Sequence, residues 1–148
     1  MNWKKCSIAV VVSFVAMFLL AYLLHGVMLK PSYATLPAGM LRSDADFMAH
    51  FQWLTLGYLI LALGATWIYA YGVENKPWLA QGIRYGLALW AIATLYPNFV
   101  MFTVQPWVRM VMVKSTLADL VIMLVGGLCI AGIYRGSAGI PRSSGAAA

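Results

Sequence analysis

The sequence predicts an all-α fold, an integral membrane bundle of four transmembrane helices with both termini on the cytoplasmic side. Three observations carry this expectation. Of 148 residues, 63% are hydrophobic and only 9% are charged, and the mean hydropathy is +0.82, more apolar surface than one small water-soluble core can hide. Four apolar runs are long enough to cross hydrocarbon, which takes roughly 20 residues at about 1.5 Å of rise each. The ten Lys and Arg residues, part of a net charge of +6, stand singly at the edges of these runs. That scatter sets topology and does not form a nucleic-acid-binding patch.

Span one is expected over 6–29. The start Met1-Asn2-Trp3-Lys4-Lys5 resembles a signal sequence, but no small-x-small cleavage site precedes His25-Gly26, so the segment reads as an uncleaved first span. Cys6 lies before the apolar run, which removes a lipoprotein reading, and Lys30-Pro31 stops the helix. The connection 30–50 lies on the outer side. Pro31 and Pro37 give its first half an extended or turning path, and Ser43-Asp44-Ala45-Asp46 is an S-x-x-D start that places the beginning of the second helix near Asp44.

Span two is expected over 51–73, span three over 85–105 and span four over 115–134, closing at Arg135. Pro97 in span three cannot donate to the Ala93 carbonyl, which predicts a kink, with Thr94 or Asn98 to satisfy the freed group. Short connections predict that spans two, three and four are antiparallel neighbours in sequence order. Residues 1–135 thus form one four-helix transmembrane domain, and 136–148 a flexible tail of small residues.

Orientation follows from the positive-inside rule. Lys4, Lys5, Lys76, Arg84, Arg135 and Arg142 fall on the side of the termini, against Lys30, Arg42, Arg109 and Lys114 on the other. Trp and Tyr residues gather at both boundaries, as interfacial belts do. Cys6 and Cys129 both fall toward the inner end and outside any C-x-x-C pattern, so neither a disulfide nor a redox dithiol is expected.

Helices associate in lipid through close packing at small residues. Gly82 and Gly86 form a G-x-x-x-G in span three, Gly127 and Ala131 keep the same spacing in span four, and Gly57 and Gly64 stand seven apart in span two. Each pair either closes the chain's own bundle or faces a partner subunit.

Chemistry is sparse. Asp119 is the only acid inside a span, about one helical turn below the outer boundary. An intramembrane acid marks a functional site unless a neighbour locks it structurally. Its candidate partners are His25, Asn98, Arg109 and a Lys114 from another subunit, since Lys114 five residues away does not share its face. His25 ends span one and His50 begins span two, so both belong to the outer interface, where two histidines offer ligands for a haem iron or a metal. G-x-S-x-G, H-E-x-x-H, P-loop and dinucleotide motifs are all absent from the sequence, and no catalytic residue is assigned.

The run His25-Gly26-Val27-Met28-Leu29-Lys30-Pro31-Ser32-Tyr33, together with Val113-Lys114-Ser115-Thr116-Leu117-Ala118-Asp119, resembles a group of small, uncharacterised bacterial four-span membrane proteins. The resemblance covers most of the chain except its tail. It implies a bacterial inner membrane and transfers no activity, cofactor or catalytic residue. Small multidrug transporters differ in carrying a glutamate in the first span, and membrane disulfide-forming proteins in carrying paired cysteines.

The function expected from these features is that of a non-catalytic accessory or assembly subunit of a larger membrane complex, with the lipid bilayer, other membrane subunits or itself as partners and no resident cofactor. The alternative is a small oligomeric transporter or channel using Asp119. A third class is a haem- or metal-bearing electron carrier using His25 and His50.

Overall fold

The computed structural model describes residues 2–74 and 76–136. The expected tail therefore lies outside the described residues beyond Gly136. Four helical stretches are long and apolar enough to cross a membrane: Trp3–Met28, Phe51–Tyr71, Trp78–Val104 and Arg109–Tyr134. No strand occurs among the described residues.

The Asn2 side chain accepts the Lys5 N–H at 3.1 Å and so caps the first helix, α1 (Trp3–Ala21). Without interruption α1 passes into a π-helical turn, Tyr22–Met28, in which Leu29 N–H reaches back five residues to the Leu24 carbonyl. A single turn, α2 (Lys30–Tyr33), follows. The S-x-x-D start forms as expected: the Ser43 hydroxyl accepts the Asp46 N–H at 3.3 Å and opens α3 (Asp44–Ala49). His50 then breaks the path before α4 (Phe51–Tyr71).

The third stretch begins at Trp78, earlier than the apolar pattern suggests. Pro77 presets the backbone for α5 (Trp78–Trp90), and Arg84 continues the helix with its Nε donating to the Ala80 carbonyl at 3.4 Å. A charged residue interrupts hydropathy without interrupting the helix. The fourth stretch, α7 (Arg109–Tyr134), likewise starts before its most apolar part.

Between α5 and α6 (Tyr96–Val104) lies a second π turn, Ala91–Leu95, just ahead of Pro97. Tyr96 N–H bonds the Ala91 carbonyl five residues back. The widened register accommodates the proline ring and its missing N–H. Asn98, a candidate for the freed carbonyl, instead donates to the Thr116 hydroxyl at 2.8 Å.

Neighbour order follows the sequence for spans three and four and departs from it between spans two and three. α7 is central, packed against α5 on one side and α1 on the other, and α4 packs mainly on α1. The layer therefore reads α4, α1, α7, α5. The reason is steric. A Cβ placed on Gly127 would lie 2.6 Å from the Gly82 carbonyl oxygen, and one on Gly86 would lie 2.8 Å from Leu124 Cα. These bare backbones let α5 and α7 touch, whereas α4 meets α5 through side chains, the Tyr69 and Tyr85 rings 5.1 Å apart and the Tyr85 hydroxyl donating to the Ala65 carbonyl.

At the α1–α7 crossing, a Cβ on Gly126 would meet Met17 Sδ at 2.5 Å. The fully buried Met17 and Ile122 occupy the centre there, and Ala9, Ile130 and Ala131 lie nearer the ends of the described chain. Phe18 joins α1 to α4 by edge-on contacts with Phe51 and Tyr58, each with centroids 5.8 Å apart. Gly57 and Gly64 meet nothing within 4 Å, so this pair does not close the bundle.

Candidate functional site

At the end of the bundle away from Trp3 and Tyr134, the π turn of the first stretch turns His25 toward α7. Its Nε2 lies 3.0 Å from Asp119 Oδ1, and its Nδ1 lies 2.5 Å from the Tyr33 hydroxyl. The Tyr33 ring stacks on the imidazole with centroids 6.1 Å apart and planes 10° from parallel. His25 and Asp119 keep 25% and 19% of their side-chain surface exposed. The pair is thus largely sheltered.

An ionised carboxylate only accepts hydrogen bonds, so Nε2 carries the hydrogen donated to Asp119. In the neutral imidazole Nδ1 is then an acceptor, and Tyr33 O–H donates to it. Burial first, and the Asp119 charge second, push the Tyr33 phenol up to about 12. That shift keeps Tyr33 protonated as a donor and opposes its use as a nucleophile. Tyr58 of α4 stands within electrostatic range of both Asp119 and Tyr33.

A second contact clamps α2 to α7, with Lys114 Nζ donating to the Ser32 hydroxyl at 3.2 Å. Lys114 therefore acts on the loop. Of the other candidate residues, Asn98 pairs with Thr116, one turn before Asp119 on α7, and Trp90 Nε1 donates to the Thr116 carbonyl at 2.9 Å.

His50 does not join His25 in the node. Its Nδ1 lies 2.8 Å from the Asp46 carbonyl and 3.2 Å from the Asp46 carboxylate, one turn away on its own segment. Asp46 also takes a 2.7 Å bond from Arg42, which holds its carboxyl below the usual range. A haem or metal shared by the two histidines would require His25 to release Asp119 or Tyr33. Among the described residues no cluster of three or more His, Cys, Asp or Glu suited to a metal ion occurs.

Tyr33 was not nominated by sequence, because an interfacial tyrosine in a loop reads as a belt residue. The available signal was its place eight residues after His25, across Lys30-Pro31. A loop that turns back there returns the ring to the helix it left. Compared with family profiles, with curated proteins and with solved structures, the chain matches none.

Proposed function

We propose that the chain is a multi-pass integral protein of a bacterial inner membrane, with both termini in the cytoplasm. We further propose that it serves as a non-catalytic subunit of a larger membrane assembly whose state is set by proton exchange at His25 beside Asp119, with the Tyr33 hydroxyl switching its hydrogen-bond role in response. The observation that carries this reading is the hydrogen-bonded His25–Asp119 pair set among helices apolar enough to cross a membrane.

A carboxylate at that depth is costly, and a neutral imidazole leaves its charge uncompensated whereas an imidazolium cancels it. Histidine is the side chain that exchanges its proton between about pH 5 and 8. When His25 gains a proton, both ring nitrogens become donors and Tyr33 turns from donor to acceptor. The phenol proton must then find a new acceptor in the loop. Proton uptake is thereby linked to the seating of α2, while the Lys114–Ser32 contact holds its other side.

The subunit role draws support from α4. Trp53, Gly57, Ile60, Gly64 and Trp67 follow a three- and four-residue spacing and form an exposed stripe, and its two glycines have room for a neighbouring helix.

The test is thiol labelling of Ala34→Cys, beside Tyr33, in a background lacking Cys6 and Cys129. Labelling rates in the parent and in Asp119→Asn are compared between about pH 5 and 8. The reading expects their ratio to change severalfold across that range, and a constant ratio overturns it. A second reading, proton or cation transport by a small oligomer, is favoured by the same acid inside a span. It expects flux in vesicles that Asp119→Asn abolishes, and absence of flux in the parent protein counts against it.

A further inference from the structure

At the opposite end of the bundle a cavity of about 210 Å³ opens between the connection after α4 and the last turn of α7. Gln81 braces it. Its Nε2 donates to the Glu74 and Lys76 carbonyls at 2.7 and 2.8 Å, and its Oε1 accepts the Glu74 N–H at 3.2 Å. Both amide hydrogens of Gln81 are spent on this loop. Val73, Trp78 and Ala131 supply apolar wall, and Lys76, Arg135 and Glu74 supply charge.

Glu74 is already taken, with its carboxylate 2.5 Å from Lys76 Nζ. Lys76, and behind it Arg84, keep that carboxyl below its usual range. Among the described residues the Arg135 guanidinium is in no salt bridge. Lys5 comes to the same corner, its Nζ 3.5 Å from the Arg135 carbonyl. Tyr134, 4% exposed, also lines the cavity, with its hydroxyl engaged by the Cys6 thiol. The corner thus joins one cation beyond the Glu74–Lys76 pair, Arg135, to an aromatic wall.

We infer that this cavity holds the phosphate head group of an anionic phospholipid. Its volume is below the roughly 300–1,000 Å³ of pockets that enclose whole drug-sized ligands, and it suits a head-group fragment whose acyl chains remain outside. Its position suits the same ligand. Trp78 begins the third spanning stretch and Tyr134 ends the fourth, so the cavity lies at the depth of a membrane interface, where tryptophan and tyrosine settle beside head groups. A free anion would need no apolar wall. The inference rests on the membrane reading above, in which this end faces the cytoplasmic leaflet with its anionic lipids.

The test uses the full chain, reconstituted first into phosphatidylcholine vesicles and then examined in neutral detergent by native mass spectrometry. Equimolar phosphatidylglycerol and phosphatidylcholine compete for retention. Each basic residue near an anionic surface contributes roughly fivefold in affinity, so phosphatidylglycerol is expected to be retained at least about fivefold over phosphatidylcholine. Arg135→Gln should bring the ratio close to one without altering gel-filtration behaviour, and Lys114→Gln, at the other end, should leave it unchanged. Millimolar inorganic phosphate should not displace the lipid.

Equal retention of the two lipids by a chain that enters vesicles overturns the site and spares the membrane reading. Failure to enter vesicles overturns both. Loss of the lipid to inorganic phosphate reassigns the cavity to a soluble anion and overturns the proposal as stated.

Discussion

Tyr33 joins the 30–50 connection to the helices through one hydroxyl, and its chemistry sets a pH limit on that joint. Its folded value of about 12 stands above the ordinary 10.0, so the unfolded chain loses the phenol proton first as pH rises. The stabilisation linked to the neutral phenol is therefore fully present below about pH 10 and is lost as pH climbs through about 12. In thermal melts in detergent across this range, Tyr33→Phe should show a shallower alkaline decline than the parent. Asp119→Asn, which removes the second cause of the shift, should fall between them. Asp119 was legible as the only acid inside a span, and His25 as one of its candidate partners. Pairing the two with Tyr33 needed a backbone path that hydropathy does not encode. The same limit applies to His50, whose depth resembles that of His25 but whose ring is claimed by Asp46 on its own segment.

At the scale of elements, the two π turns lie in the stretches that flank α7. One presents His25 to Asp119, and the other follows Trp90 and precedes Asn98, both of which bond Thr116. Each π turn inserts backbone and rotates the residues beyond it about the helix axis, which is how such turns come to mark functional positions. Pro97 announced the second turn as a kink, whereas no proline or glycine pattern announced the first. The small-residue pairs were equally visible in sequence, yet only contact geometry separates them. Gly127→Ala should drive α5 from α7 and cost about 1–3 kcal/mol, as overpacking does, read as a fall in the detergent melting temperature. Gly57→Ala, with nothing within 4 Å, should stay within about 0.5 kcal/mol of the parent. Any effect of Gly57→Ala should appear in the mass of co-purifying complexes.

For the whole molecule, four apolar runs were sufficient to give the helix count and approximate limits, because the length of a spanning helix is dictated by hydrocarbon thickness. Neighbour order was legible only in part. Short connections suggested that successive helices pack together, which holds for α1 with α4 and for α5 with α7, but α5 fits the bare backbone of α7 more closely than it fits α4, and α7 also packs on α1. A chain ending before Arg109 should therefore keep α1 and α4 associated through Phe18, Phe51 and Tyr58, while α5 and α6 are left loosely held. Limited proteolysis in detergent should cut near 78–104 in that fragment and spare the same region in the full chain. Supplying α7 as a separate peptide should restore protection.

The central place of α7 also bears on biogenesis. Of the described helices, the ribosome makes α7 last, yet α1 and α5 both wait for it. The histidine is synthesised long before its carboxylate, and the glycine notches of α5 emerge before the backbone that fills them. Until translation reaches α7, these apolar surfaces have no partner within the chain. Assembly is thus decided only once α7 has been made, and until then the notches of α5 stay unfilled.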